Sequence, residues 1–298
     1  MDRRTGPDGA VEWTGGARVR VYISVDMEGI AGIGHPEPTD PTDRRYPVSV
    51  DLMVGETNAA IEGALAAGAT DILVNDSHWN MYNLLPADLH PSARVLQGQK
   101  AWSMVAGAQP GDDGSPAFDV ALFVGYHTRA GHPNGTIAHT YSGTPVETRL
   151  DGRPTGEYGM NALALGAWRI PVGMVAGDDG LAGEVEGWLP WAERVVVKTV
   201  DGGRSAVSVH PTVARDRVRA GAERAVRKAA AGDLQTLHVG PPVSIEIDVP
   251  KGVIADHAAM MPGAERIGDR TVRFVHDDPV MAYRGFLAMI RLMEPASD

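Results

Sequence analysis

Short apolar runs alternate with longer helix-like stretches along the first two thirds of the chain. The runs that predict strands are 18–26, 70–76, 119–127, 170–179 and 193–200. The stretches that predict helices are 49–69, which is rich in Ala, and 156–168. The strand runs are almost continuously apolar, which is typical of a parallel sheet covered by helices on both faces. The β-α-β-α order therefore predicts an α/β fold with a doubly wound, mainly parallel sheet.

The pattern changes after residue 200. The elements predicted there are a charged helix over 211–232, a half-exposed strand over 242–250, a hairpin over 264–277 and an amphipathic helix over 278–293. This mixture predicts a smaller α+β domain after the parallel sheet. The predicted limits are a flexible, Gly-rich N-terminal extension over 1–18, an α/β domain over 19–200 and an α+β domain over 201–298.

Acids and histidines follow the predicted strands at the points where the strands end. Asp26 and Glu28 follow the first strand, His78 follows the second and His127 follows the third. Ligands of open parallel sheets bind beyond the carboxyl ends of the strands, so we expect these side chains to converge on one edge. Side chains at positions i and i+2 of a strand point to the same side, which lets Asp26 and Glu28 face one point.

This set of donors predicts a metal site. Two carboxylates that lie so close together repel each other unless a cation lies between them. The chain contains no Cys, so any metal must be held by His, Asp or Glu, which are zinc ligands. With a further carboxylate such as Glu157, the set has enough ligands for two metal ions roughly 3.5–4 Å apart.

Other interpretations of the same residues stay open at this point. A solvated turn explains Asp26 and Glu28 equally well, and a capping or packing role explains His127. Asp178 and Asp179, at the end of the fourth predicted strand, are predicted to begin a helix as its N-cap rather than to bind a metal.

Composition narrows the class of partner. The 27 Lys and Arg residues against 38 Asp and Glu residues give a formal net charge of −11. Such an acidic chain is not expected to bind nucleic acid or anionic membranes. No apolar run approaches the roughly 18 residues of a membrane span, and the first 18 residues lack the apolar core of a secretory signal. We therefore expect a cytoplasmic location.

Three common enzyme motifs are missing from the sequence. It contains neither the phosphate-binding G-x-x-x-x-G-K-[ST] loop nor the G-x-S-x-G turn of serine hydrolases. Gly29, Gly32 and Gly34 have the spacing G-x-x-G-x-G rather than the dinucleotide-binding G-x-G-x-x-G, and the two preceding acids would repel a pyrophosphate. These absences leave the strand-end donors as the main candidate for chemistry.

Several motifs, taken together and in order, resemble one known family. They are SVDMEG, VNDSH, GYHTRAG, IAHTYSG, GEYGMNA, VAGDD, RSAVSVHP and, near the C-terminus, MMPGAERIGDRTVRF. Their order and approximate spacing resemble the zinc-dependent D-aminopeptidases of the DppA type. The likeness extends from about residue 19 to about residue 293, and only the N-terminal extension falls outside it.

The resemblance implies a site with two zinc ions per subunit. The ligands that it implies are Asp26, Glu28, His78, His127 and Glu157, with Asp26 bridging the two metals. His139 in IAHTYSG matches the family's active-site histidine that is not a ligand. Paired metals lower the pKa of a bridging water, and the resulting hydroxide attacks the peptide carbonyl. The implied enzyme hydrolyses short peptides with an N-terminal D-residue such as D-Ala, and it forms a homodecamer.

Other functions remain as alternatives. One is a related metal-dependent amidohydrolase with a different substrate, and another is a dipeptide-binding component of a transporter. A third is a metal-dependent phosphoesterase, because paired metals serve both chemistries. That alternative needs a cation near the strand ends to bind phosphate, and Arg129 is the candidate.

Overall fold

The computed structural model describes residues 3–5, 11–13, 18–202 and 205–294. The strands are β1 (Arg3–Thr5), β2 (Val11–Trp13), β3 (Val19–Val25), β4 (Ala69–Asp76), β5 (Ala93–Leu96), β6 (Val120–Tyr126), β7 (Glu147–Leu150), β8 (Arg153–Pro154), β9 (Val172–Asp178), β10 (Glu193–Val200), β11 (Ala206–Ser208), β12 (Val243–Asp248), β13 (Ala264–Arg266) and β14 (Thr271–His276). The α-helices are α1 (Tyr46–Ala66), α2 (Glu157–Ala167), α3 (Asp179–Trp188), α4 (Pro211–Ala231), α5 (Gly252–Ala258) and α6 (Pro279–Met293). Short 3₁₀ turns cover Glu37–Thr39, Pro86–Asp88 and Ser103–Val105.

A seven-stranded sheet forms the centre of the molecule. Its strand order is β11-β10-β9-β6-β3-β4-β5, and all neighbours are parallel except the β10–β11 pair. Val21 and Ile23 of β3 pack with α1 and α4 on one face, while Tyr22 packs into the core on the other face with residues of α2 and α3. Because both faces are covered, the strand is apolar without alternation. The predicted doubly wound α/β fold is confirmed.

A smaller antiparallel sheet lies beside the first, in the order β13-β14-β12-β7-β8. Val243, Ile245 and Ile247 of β12 are buried, and the residues between them are less so. This period of two is that of a sheet with one covered face. α5 and α6 cover this sheet, and α6 also packs against α2.

The predicted domain limits stay predictions, and the elements cross residue 201 in both directions. β7 and β8 precede that residue but pair in the smaller sheet. β11 and α4 follow it, but β11 joins the large sheet and α4 packs against α1. Within the predicted 1–18 extension, β1 and β2 pair with each other, and residues 1–2, 6–10 and 14–17 lie outside the described residues.

The predicted helix cap at the end of the fourth major strand is present. Asp178 is the N-cap of α3, and its Oδ1 accepts a hydrogen bond from the backbone N–H of Leu181 at 2.8 Å. Its role is therefore structural, as the sequence predicted. Among the described helices, none combines the length and the apolar character needed to cross a lipid bilayer.

Candidate metal centre

Three neighbouring strands of the large sheet, β6, β3 and β4, end at the same edge. Asp26 directly follows β3, His127 directly follows β6, and His78 lies two residues beyond β4. Glu28 lies two residues after Asp26, and Glu157 is the first residue of α2. The side chains predicted as metal ligands therefore meet beyond the carboxyl ends of the strands, where open α/β sheets bind ligands.

Two glycines allow the segment after β3 to press against the end of β6. The N–H of Gly29 donates a hydrogen bond to the carbonyl of Gly125 at 2.7 Å. A Cβ at Gly29 would overlap the carbonyl oxygen of Tyr126, and a Cβ at Gly125 would overlap that of Asp26. Gly125 also has a φ of 71°, which favours glycine. The close contact between these two segments therefore requires glycine at both positions, which lie in the DMEG and GYH motifs.

The donor atoms form two groups that share one carboxylate. On one side, Nδ1 of His78 lies 3.2 Å from Oδ1 of Asp26 and 3.1 Å from Oε2 of Glu28. On the other side, Nε2 of His127 lies 3.5 Å from Oδ2 of Asp26 and 3.4 Å from Oε2 of Glu157. The two oxygens of Asp26 therefore face different imidazoles.

Backbone carbonyls orient both imidazole rings. Nε2 of His78 lies 2.8 Å from the carbonyl oxygen of Thr39, and Nδ1 of His127 lies 2.9 Å from that of Thr128. Only a protonated ring nitrogen can donate to a carbonyl, so these bonds leave Nδ1 of His78 and Nε2 of His127 free towards the carboxylates. Metal-binding histidines are commonly fixed in this way by their second nitrogen.

The centre contains buried polar atoms that the protein itself does not satisfy. Oε2 of Glu28, Nε2 of His127 and Oε2 of Glu157 have no hydrogen-bond partner among the described residues. All three residues are at least 94% buried. An unsatisfied buried polar atom costs roughly 1–3 kcal/mol, and more when charged. Carboxylate oxygens and imidazole nitrogens are zinc ligands, so a divalent cation fits this set.

Without a cation, protons on the imidazoles balance the carboxylates. Burial alone lowers the pKa of His127, but the nearby charges of Glu157, Asp26 and Glu28 outweigh burial and raise it to about 10. Burial likewise opposes the charge on His78, yet Glu28 and Asp26 raise its pKa well above normal. The pKa of Asp26 is raised by burial and by the charge of Glu28. Metal ligands must be deprotonated, so a divalent cation would take the place of these protons.

His139 lies beside this centre and is more accessible than the other members. Its ring stacks on that of His127 at 4.2 Å between centroids, and its Nε2 lies 3.7 Å from Oε1 of Glu157. Its Nδ1 lies 2.9 Å from the carbonyl oxygen of Ile137. The side chain of His139 is 25% exposed, against 1% for His127 and 5% for Glu157. Burial and the charge of His127 lower the pKa of His139.

The distances allow more than one assignment of ligands. Asp26, Glu28 and His127 can offer three ligand atoms within 4.8 Å of one another, and so can His127, His139 and Glu157. On distance alone, His139 could be either a metal ligand or the non-ligand histidine that the resemblance implies. The assignment of His139 as a non-ligand therefore stays a prediction.

The model of the D-aminopeptidase family matches residues 19–288. The chain belongs to the D-aminopeptidase family. A D-aminopeptidase of Bacillus subtilis (strain 168) is 35% identical over 286 residues, which cover 92% of this chain and 97% of that protein. A solved structure described as the Zn-dependent D-aminopeptidase DppA from Bacillus subtilis, a self-compartmentalizing protease, is similar with a TM-score of 0.87 and 33% identity. The similarity covers 94% of this chain and 99% of that one. The family and the enzyme class predicted from the sequence are confirmed.

The centre of this D-aminopeptidase family member opens into a cavity of about 1580 Å³. Asp26, Glu28, His78, His139 and Glu157 are among its lining residues. Its walls come from the loops after β3, β4, β5 and β6 and from α6. The cavity gives a substrate access to the predicted metal ligands.

Sequence reasoning missed Lys198 as a support of the centre. This residue of β10 is 1% exposed, and its Nζ donates to the backbone carbonyls of Glu28, Ile30 at 3.3 Å and Ile33 at 2.5 Å. These hydrogen bonds hold the loop that begins at Glu28 in place. A single Lys in an apolar strand gives no sequence signal for this role, because the contact joins residues about 170 positions apart.

Proposed function

We propose that the chain is a zinc aminopeptidase that removes N-terminal D-residues of the D-Ala type from short peptides, with two zinc ions per subunit. The single observation that supports this most is the position of Asp26. Its two carboxylate oxygens face His78 and His127 separately, with Glu28 on one side and Glu157 on the other. That arrangement suits two ions sharing one carboxylate.

In this proposal, His78 and Glu28 would hold one ion, His127 and Glu157 would hold the other, and Asp26 would serve both. The Zn-dependence described for the similar solved structure supports zinc as the metal. Bound zinc supplies Lewis-acid chemistry, which activates water near neutral pH and stabilises negative charge on the peptide carbonyl oxygen. The five side chains, held by buried backbone contacts, fix where that chemistry takes place.

His139 then transfers a proton or donates a hydrogen bond to the developing oxyanion, without binding the metal. Its Nδ1 is held by the carbonyl of Ile137, so Nε2 is the atom that faces the cavity side of Glu157. A partly exposed imidazole next to the metal ligands is placed to reach a bound peptide.

Assembly and location belong to the same proposal. The similar solved structure is described as self-compartmentalizing, which supports a homo-oligomer here, with the decamer of the family resemblance as the proposed number. A cytoplasmic location is proposed from the sequence expectation. Membership of a peptidase family favours an enzyme over a transport component, and a related amidohydrolase with another substrate remains the alternative.

The phosphoesterase alternative loses its candidate cation. Nη1 of Arg129 lies 3.4 Å from Oε2 of Glu147, and its Nε lies 2.9 Å from Oε1 of Glu184. Arg129 is therefore engaged with two carboxylates and does not line the cavity over the metal centre. Nothing in its contacts leaves it available to bind phosphate there.

The proposal is tested by metal content and by the H139A variant. We expect two zinc ions per chain by mass spectrometry, activity on D-Ala-D-Ala above that on L-Ala-L-Ala, and loss of activity on chelation. His139→Ala should keep both ions and lower kcat by roughly 100-fold or more, the usual size of general acid–base catalysis. His257→Ala, at an exposed position of α5, is the matched control.

Two results would contradict it. Loss of a zinc ion from H139A would make His139 a ligand. A protein that binds no zinc, cobalt or manganese and cleaves neither peptide would refute the metallopeptidase itself.

A further inference from the structure

Three Lys and Arg side chains line the cavity within the described part of the chain: Lys100, Arg284 and Arg291. Two of them already have strong partners. Nζ of Lys100 donates to the carbonyl of Asp76 at 2.7 Å, and Nη1 of Arg291 lies 3.1 Å from Oε2 of Glu294. No carboxylate of the described residues lies within 4.0 Å of the guanidinium of Arg284, whose nearest polar contact is a sulfur at 3.7 Å. Arg284 thus keeps its hydrogen-bonding capacity for something else.

The guanidinium of Arg284 lies over an aromatic ring, although the residue is exposed. Its Cζ lies 5.5 Å from the centroid of the Trp102 ring, a cation–π distance. Trp102 lines the same cavity. A cation–π contact uses none of the guanidinium N–H donors, so these donors stay free for a planar anion.

The helix that carries Arg284 is fixed relative to the metal centre. The preceding residue, Tyr283, is fully buried, and its hydroxyl lies 2.8 Å from that of Tyr141 and 3.1 Å from Oδ1 of Asn161. The backbone N–H of Tyr141 in turn donates to Oε1 of Glu157 at 2.6 Å. A buried hydrogen-bonded chain therefore joins α6 to a predicted metal ligand, which fixes the backbone that carries Arg284 relative to the centre.

The remaining charges of the cavity wall are mostly negative. Glu37, Asp40 and Glu294 line it in addition to the carboxylates of the metal centre. A short peptide brings a positive amine and a negative C-terminal carboxylate. The amine is attracted to this acidic surface, whereas the carboxylate is repelled unless a cation receives it. Guanidinium binds carboxylate in a bidentate fashion, and Arg284 is the side chain with that capacity here.

We propose that Arg284 binds the C-terminal carboxylate of the peptide substrate and so selects short peptides with a free C-terminus. This inference rests on the proposed aminopeptidase function. The cavity of about 1580 Å³ exceeds the roughly 300–1,000 Å³ of ordinary ligand pockets, so its walls alone do not exclude longer peptides. A guanidinium that binds the C-terminal carboxylate would select short peptides, which the volume of the cavity does not.

The test compares one substrate pair on two proteins. D-Ala-D-Ala and its C-terminal amide differ only in the carboxylate, and both are assayed with the zinc-loaded native enzyme and with Arg284→Gln. We expect the native enzyme to prefer the free acid. The substitution should lower kcat/KM for the acid by roughly 10- to 100-fold, mainly through KM, and for the amide by less than about 3-fold. Arg284→Lys keeps the positive charge but loses the paired N–H donors of the guanidinium, so it should retain part of the preference for the free acid.

Arg227→Gln is the matched control, because Arg227 is an exposed helical arginine of α4 that does not line the cavity. Zinc content and circular dichroism are measured for each variant to show that the centre and fold are intact. Equal losses on acid and amide, or no loss on the acid, would overturn the assignment of Arg284. Absence of cleavage of both substrates by the native enzyme would instead refute the proposed function, so the two failures are distinct.

Discussion

Replacing Lys198 by Met removes the buried ammonium that holds the loop after β3. Met has a similar unbranched shape, so the substitution changes hydrogen bonding more than volume. The backbone carbonyls of Glu28 and Ile33 would lose the donor that Lys198 gives them, whereas the carbonyl of Ile30 keeps the backbone N–H of Ile33 at 3.2 Å. We expect the substitution to lower both the stability of the fold and the zinc affinity of the centre, because Glu28 is itself a predicted ligand.

Two opposing effects decide how much stability the substitution costs. An orphaned buried acceptor costs roughly 1–3 kcal/mol, so the carbonyls of Glu28 and Ile33 together cost about 4 kcal/mol at the middle of that range. Burial of the ammonium lowers the pKa of Lys198 from 10.5 to about 8. Removing that buried charge offsets about 3 kcal/mol of this cost, because each unit by which the pKa is lowered corresponds to about 1.4 kcal/mol. We therefore expect the free energy of unfolding to fall by only about 1 kcal/mol, so the zinc affinity is the more sensitive measurement.

Two measurements check this expectation. Urea unfolding of the chelated protein, at one fixed protein concentration, gives the free energy of unfolding. Calorimetric titration of the chelated protein with zinc gives the affinity of the centre, which we expect to fall by roughly 10- to 100-fold, as for other residues that orient metal ligands.

Lys228→Met is the matched control. Lys228 is 40% exposed and pairs with Glu193 at the surface, so its loss should cost about 1 kcal/mol or less. If Lys198→Met binds zinc as tightly as Lys228→Met does, Lys198 does not hold the loop.

Two further predictions concern the segments that support the centre. Glu56 is buried, accepts the N–H of Ala31 at 2.9 Å, and burial raises its pKa from 4.5 to about 7. The folded protein thus binds this proton more tightly than the unfolded chain. The contribution of Glu56 to stability therefore falls as pH rises from about 4.5 to 7, by up to roughly 3 kcal/mol, and Glu56→Gln should flatten that part of the stability–pH curve. Gly125→Ala should lower the free energy of unfolding by about 3 kcal/mol or more, because the new Cβ overlaps the carbonyl of Asp26 at a positive φ.

Each of these has a clear contrary result. An unchanged stability–pH curve for Glu56→Gln, measured by urea unfolding between pH 5 and 8, would show that Glu56 is not the titrating group. Gly114 has a similar φ of 72° but open space around its Cβ position. Gly114→Ala should therefore cost only about 1 kcal/mol, and equal costs at both glycines would rule out the overlap as the cause.

The parallel sheet and the strand-end donors were predictable because both follow from local patterns. Continuous apolar runs mark strands that are covered on two faces, and the strand ends then place Asp26, His78 and His127 at one edge. Helix α4 was predicted as a helix but its place on the large sheet was not, since an amphipathic pattern does not say which sheet it covers. Lys198 and Arg284 were missed for a related reason. Their partners are distant in sequence, and a single Lys or Arg has no pattern that predicts its contact.

In the proposed two-zinc centre, the orientation of Asp26 has a consequence for how the ions bind and leave. One oxygen of this carboxylate faces His78 and the other faces His127, so an ion on either side immobilises the side chain that both need. The first ion to arrive therefore prepares the position of the second, and by linkage the departure of one weakens the hold on its neighbour. Filling of the centre should follow a steeper curve than two independent sites would give, with few half-loaded subunits at any zinc concentration.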